Sequence, residues 1–485
     1  MFVEDFENTG QTPVLLENYV GAPPLNETYT ADPPWLDPAQ CNGIILNPTS
    51  PDQPDCPNAL LRSMASALGE VGGTNPPTNN VVTAYTNWVN PGADLVEFRT
   101  EQPIPIATPN RYISFAVDAA VVNCEQAQPL LKFYLTGGGP DIPTFTTPIN
   151  PCTDPNSKPY PGGNGIMAGS FAGNSAVLFT GTELGIKMVN GQGQWFGNDH
   201  AFDNIRILDA TPQLDNAFSP ATIDEGGIST LTMTVTNTSE LAAKNNFTFT
   251  DRLPAGVSVA STPNATTTCG DGTVSAVAGG SSVTLGGGDL AADEVSCTVT
   301  VNVTADATGA YVSGPDRITA VGLNSPNSAT LTVVTPPVVL EHPSDQVVSA
   351  GEDATFTADA SGDPAPTVQW QRQAAAGGPW TDIPGATSTT YTLTDATLAD
   401  SGSRFRAVFT NAAGTTVTTN PATLTVVRAP TTPPATTPPA TTSPGGPSGT
   451  LPPTGASVTG LLAFVVALLI AGSLAIFGIR IRRTR

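Results

Sequence analysis

The stretch Ser229-Thr230-Leu231-Thr232-Met233-Thr234-Val235-Thr236-Asn237 alternates without a break. Leu231, Met233 and Val235 fall on one side of an extended chain, and the threonines fall on the other. Successive side chains of a strand point to opposite faces, so the pattern predicts a β-strand with one buried and one wet face. The same period returns at Asn246-Phe247-Thr248-Phe249-Thr250-Asp251 and at Cys297-Thr298-Val299-Thr300-Val301-Asn302-Val303. β-branched and aromatic residues fill these runs, as strands prefer. An all-β sandwich is the expected fold for this part of the chain.

Working outward, further strand-like runs occur at 80–86, 112–117, 130–135, 175–180 and 201–208. One segment breaks the pattern: over 58–69, Leu60, Leu61, Met64 and Leu68 recur at helical spacing. Residues 136–165 read as a long loop rich in Gly and Pro. These runs divide the chain into a first module over 1–208, a second over 209–335 and a third over 336–427. Residues 428–450 are nearly all Pro, Thr, Ser, Gly and Ala and cannot bury a core. Prolines keep such a linker extended, so it could span up to ~70 Å at ~3.1 Å per residue.

Acidic residues outnumber basic ones 41 to 18, for a net charge of −23. A chain this acidic lacks the basic face that nucleic acid or an anionic lipid surface requires. The six cysteines, Cys41, Cys56, Cys124, Cys152, Cys269 and Cys297, form no CxxC pair. With two histidines in the chain, a zinc site is not expected. An even count in an exported chain reads as disulfides, and nearest-neighbour pairing within modules predicts 41–56, 124–152 and 269–297.

Three resemblances follow from these residues. Thr234–Glu240 (TVTNTSE), the DRLPAGV turn at 251–257 and the strand at 297–303 resemble the conserved-repeat Ig-like modules of bacterial surface proteins. Residues 336–427 resemble an Ig-set domain along their whole length. Trp370 matches the buried tryptophan of such domains, and Phe405 stands where their corner tyrosine would be. Ala358 and Ala407 take the two cysteine positions, so the inter-sheet disulfide is expected to be absent. In the first module, Asp5-Phe6-Glu7-Asn8 and Ala201-Phe202-Asp203-Asn204-Ile205 resemble the first and last strands of extracellular jelly-roll domains, many of which bind carbohydrate.

The end of the chain carries a fourth. Leu451-Pro452-Pro453-Thr454-Gly455 precedes an uncharged apolar run over 456–479 and a tail with Arg480, Arg482, Arg483 and Arg485. The run would make a helix of ~36 Å, enough for a bilayer core of ~30 Å. The arginines would stay on the cytoplasmic side. The three parts together resemble the LPxTG sorting signal of Gram-positive, actinobacterial-like, cell-wall proteins. The resemblance implies a sortase that attacks the Thr454 carbonyl and passes the chain to an amine of a peptidoglycan precursor. The start, Met1 to Glu7, has neither a basic segment nor an apolar core and is not a signal peptide. An exported chain is therefore expected to begin upstream of it or to have lost its signal.

For chemistry, a calcium ion is the candidate cofactor. Glu7, Asp199 and Asp203 are its candidate ligands if the first and last strands of the module meet. Trp88 and Trp195, in loop-like stretches, are the candidate ligand-binding aromatics. Trp35, Tyr85, Tyr112, Tyr134 and Tyr160 are expected to serve mostly in core or loop packing. No GxSxG elbow occurs, and His200 and His342 are each expected on the surface. Glu97 and Glu101 lie four apart on a strand, ~13 Å, too far for a retaining glycosidase pair. No enzymatic activity is expected. The overall expectation is all-β: a jelly-roll-like ligand-binding head, two Ig-like sandwiches, a disordered Pro/Thr linker and one C-terminal transmembrane helix. Such a protein would be extracellular and wall-anchored, and its head would meet carbohydrate or another cell's surface. A stalk without a ligand and a glycan-active hydrolase are the alternatives.

Overall fold

A computed structural model describes residues 2–8, 13–37, 41–53, 56–86, 90–137, 139–160, 165–173, 175–194 and 197–429. The linker from 430, the pentapeptide 451–455, the apolar run and the arginine tail lie outside them, as do Trp88 and Trp195. No helix among the described residues is long and apolar enough to cross a membrane. The described strands fall into three modules that share no sheet.

In the N-terminal module, the long strands Arg111–Val122 and Asp199–Asp209 pair at the centre of one sheet. Met167–Ala172 and Lys158–Pro159 extend it on one side, and Val81–Ala84, Ile44–Leu46 and Val14–Leu15 on the other. Phe2–Glu4 pairs antiparallel with the last strand, Glu4 opposite Ile205, so the two ends of the module do meet. A second sheet runs Ile142–Pro143, Leu131–Thr136, Glu183–Asn190, Leu95–Thr100, Tyr29–Thr30. Between the sheets lies a core rich in aromatics. Phe98 and Phe202 meet edge to face at 5.8 Å, and Phe115 lies 5.2 Å from Phe133.

The helix Asn58–Val71 forms a third layer on the outer face of the larger sheet. Leu61, Met64 and Leu68 bury there against Val81, Ala120, Val122 and Ala201. The small residues Ala120 and Ala201 let the helix approach closely. The sheet is thus buried on both faces, and Arg111–Val122 reads as a nearly continuous apolar run for that reason.

The middle module confirms the alternating pattern. Ile228–Thr236 pairs with Ser296–Ala305, with Leu231 opposite Val301 and Met233 opposite Val299. All four side chains are buried in one core. In the third module Trp370 is fully buried opposite Ala407, and its Nε1 donates to the Ser388 carbonyl at 2.8 Å. Phe405 stacks on Phe356 at 4.5 Å. Ala358 and Ala407 are buried beside them, so aromatic packing stands where a disulfide would otherwise join the sheets. The three predicted disulfides, Cys41–Cys56, Cys124–Cys152 and Cys269–Cys297, are all present.

Candidate functional site

The predicted acidic residues divide into two networks. Alternation along Asp199–Asp209 sends Asp199 and Asp203 to the helix side of the sheet, four residues and ~13 Å apart. Asp199 accepts from the Thr86 backbone N–H at 3.1 Å and its hydroxyl at 3.2 Å. Asp203 accepts from Asn79 Nδ2 at 2.8 Å and from the Asn204 N–H at 2.6 Å. Glu7 is near Asp203, where it takes the Asn80 N–H at 2.7 Å and the Asn80 side chain at 2.8 Å. Glu7, Asp199 and Asp203 therefore do not converge as one calcium set. Strand periodicity puts the two aspartates on one face, and the strand's rise then separates them. Among the described residues, no group of three or more His, Cys, Asp or Glu is placed to hold a metal ion.

Asp203 and Asp118, opposite each other in the central pair, are both fully buried. Burial pushes the Asp203 carboxyl well above its ordinary range, and the nearby charges of Asp118 and Glu7 add to this. Asn204, in the left-handed region at φ 49°, bridges the two acids, with Nδ2 2.9 Å from Asp118 Oδ2. Arg206 then pairs with Asp118 Oδ1 at 2.9 Å and donates to Ser170 Oγ at 2.8 Å.

His200 departs from the surface position expected of it. Its side chain faces the sandwich interior, fully buried, with Nε2 2.7 Å from Glu97 Oε2 on the opposite sheet. Burial opposes protonation, yet the Glu97 carboxylate and the Asn198 carbonyl raise the His200 pKa above its ordinary value. The pair bolts one sheet to the other and presents nothing to solvent. His342 is exposed, as expected.

What faces solvent is a groove of about 700 Å³ on the outer side of the large sheet. The helix end, with Ala67, Glu70 and Val71, forms one wall, and Asn156, Lys158 and Tyr160 form the other. Ala168 and Gly169 make the floor. A side chain on Gly169 would stand 2.7 Å from the Asn156 carbonyl oxygen, so glycine is what lets the second wall cross the sheet here. Cys124–Cys152 ties down the loop leading to that wall, and Cys41–Cys56 ties down the approach to the helix. Glu70, Asn156, Lys158 and Ser170 are exposed on the rims, and Tyr160 is half-buried between them. The volume falls within the ~300–1,000 Å³ of small-molecule pockets. The groove thus brings together an aromatic side chain, a carboxylate, an ammonium and an amide.

Trp35 and Tyr112 are buried, in line with packing roles. Tyr160, grouped with them in the sequence, is the aromatic that reaches the groove. Its setting between Pro159 and Pro161 in a cysteine-anchored loop was the available signal.

Residues 212–333 match a family model described as a domain of unknown function, DUF7933, and residues 336–403 match one described as an immunoglobulin domain. Endoglucanase C of Cellulomonas fimi is 56% identical over 97 residues, which are 20% of this chain and 8% of that enzyme. The chain thus spans under a tenth of the length of this curated relative. Among solved structures, DIP-gamma IG1+IG2 matches at 18% identity, over 45% of this chain and 99% of its own, with a TM-score of 0.20. The titin M10–obscurin-like 1 Ig complex matches at 24% identity, over 20% and 97%, with a TM-score of 0.16. The chain carries an Ig-like domain and a DUF7933 domain in an all-β architecture of several sandwiches.

Proposed function

We propose that this chain is an extracellular bacterial surface protein whose N-terminal jelly-roll-like module binds carbohydrate in the groove between Glu70 and Tyr160. The groove itself carries the reading: about 700 Å³, one aromatic side chain, and exposed polar rims braced by two disulfides. The partial likeness to a bacterial endoglucanase and the disulfides support an exported, carbohydrate-related setting. Binding is favoured over hydrolysis because Asp118 and Asp203, the paired carboxylates nearest the helix, are fully covered and held by asparagine amides. The pentapeptide at 451–455, with the apolar run and arginines behind it, supports covalent attachment to peptidoglycan by a sortase at Thr454. The two following sandwiches and the linker would then act as spacers.

A glycan array probed with the intact chain and with a Tyr160→Ala variant tests the reading. Binding to a defined glycan class that falls about tenfold or more in the variant, about 1.4 kcal/mol, is the expected result. No binding by the intact chain, or equal binding by the variant, would leave the spacer reading in its place.

A further inference from the structure

Glu4 and Glu27 converge on the backbone of Gly21, in a cavity that shares no residue with the groove. A side chain on Gly21 would stand 2.6 Å from Glu4 Oε2, 3.0 Å from Tyr29 Oη and 3.5 Å from Glu27 Cβ. Both glutamates are 3% exposed. They line one cavity of about 140 Å³, whose remaining walls, among them Phe2, Pro23 and Leu25, carry no charge.

The two carboxylates differ in how they are held. Glu4 is engaged at both oxygens. Tyr19 Oη donates to Oε1 at 2.9 Å, the Phe6 N–H donates to Oε1 at 2.8 Å, and Tyr29 Oη donates to Oε2. Glu27 Oε2 is buried and has no hydrogen-bond partner. No lysine or arginine lines the cavity among the described residues. A buried carboxylate without a partner costs several kcal/mol, and a second one beside it adds repulsion. Something positive must stand there when both are ionised.

We infer that this cavity is a binding site for a divalent cation of the calcium class, held by the free Glu27 Oε2 and the remaining lone pair of Glu4 Oε2. Two carboxylates match the charge of such an ion. The two charged side chains that line the cavity both offer carboxylate oxygen, which is the donor that hard cations select. Water completes the coordination. Burial raises both carboxyls above their ordinary range, and the Glu4 charge adds to this at Glu27. Cation binding therefore displaces protons and tightens as pH rises. Glu4 belongs to the larger sheet, and Glu27 leads into Tyr29–Thr30 of the smaller one. An ion between them fastens one sheet to the other.

Tyr19 and Tyr29 stand at the site, so tyrosine-sensitised terbium luminescence reads it directly. The full chain, stripped by a chelator, is titrated with Tb³⁺ alone and then with Ca²⁺ in competition. Saturable emission at one ion per chain, displaced by Ca²⁺, is expected. Glu27→Gln keeps the shape and removes the charge, and is expected to weaken binding about tenfold or more. Glu7→Gln, in the separate network with Asn80, is expected to leave it unchanged. Absent emission from the folded wild-type chain overturns the inference, whether or not the Glu27 variant folds. Equal affinity in the Glu27→Gln variant, or a loss confined to Glu7→Gln, also overturns it.

Discussion

The hydroxyl of Tyr112, on the central strand of the N-terminal module, donates a hydrogen bond to the backbone carbonyl of Asn245 in the middle module. The Tyr112 ring is 1% exposed and packs within the middle module's apolar core. Gly322 makes this possible. It sits in the left-handed region at φ 72°, and a side chain there would come 2.7 Å from the tyrosine ring. Nearby, Arg111 reaches Asn324 Oδ1 at 2.6 Å. The first two modules are therefore joined through a shared core residue.

Calorimetry should show these two modules unfolding in one transition. Tyr112→Ala removes a buried aromatic and a buried hydrogen bond, a loss of about 3–5 kcal/mol. The variant is expected to unfold in two steps, with at least one at a lower temperature. Two separate transitions already present in the wild-type protein would contradict the coupling.

Asp251 sets a pH dependence. Burial pushes its carboxyl up to about 6, against the opposing hydrogen bond from Ser313 Oγ. A folded pKa above the unfolded one gives stability that is fully present below the ordinary carboxyl value of 3.8 and is lost as pH rises through 6. The loss by neutral pH is on the order of 3 kcal/mol. Asp251→Asn should therefore raise the urea midpoint at pH 7 and leave it nearly unchanged at pH 4. An equal shift at both pH values would show that burial does not penalise the charged form.

Lys244 and Glu240 form an asymmetric ion pair. The Lys244 side chain is fully buried, and its Nζ donates to Asn237 Oδ1 at 2.6 Å, to Thr238 Oγ1 at 3.0 Å and to Glu240 Oε1 at 2.5 Å. The Glu240 side chain keeps 27% exposure and can return to water alone. Glu240→Gln leaves a buried ammonium without a counter-charge and should cost about 2–4 kcal/mol. Lys244→Met leaves polar acceptors with other contacts and should cost about 1 kcal/mol. Denaturant midpoints of the two variants compare them, and the reverse order would mean that the lysine is solvated.

Thr454 provides a covalent test of anchoring. Incubation with a sortase and an amine nucleophile is expected to release the segment from Gly455 onward and to leave the amine on Thr454, detectable by mass spectrometry. Thr454→Ala should give no such product. Cleavage elsewhere, or none in the wild-type chain, would leave the apolar run as a simple membrane anchor.

The local features were legible in the sequence. Alternation at 229–237 became Ile228–Thr236 with Leu231, Met233 and Val235 buried. Helical spacing at 58–69 became Asn58–Val71. Cysteines 15 and 28 residues apart paired with their nearest neighbours. Trp370 and its flanking alanines took their core positions, since an alternating strand carries its burial pattern in its own residues.

The sites were not legible in that way. Asp199 and Asp203 share a face in sequence, but Thr86 and Asn79, brought in by other strands and turns, assign them to separate networks. His200 meets Glu97 across 103 positions, and Tyr160 and Glu70 line one groove only because a helix lies across the sheet. By itself the sequence determined strands, disulfides and the composition of the C-terminal segment, because these depend on spacing of neighbours along the chain. Tertiary structure alone decided which acids pair, which histidine is buried and that Tyr160 lines the groove. Those outcomes depend on how sheets stack and where the helix docks, and contacts so distant in sequence leave no periodic trace in it.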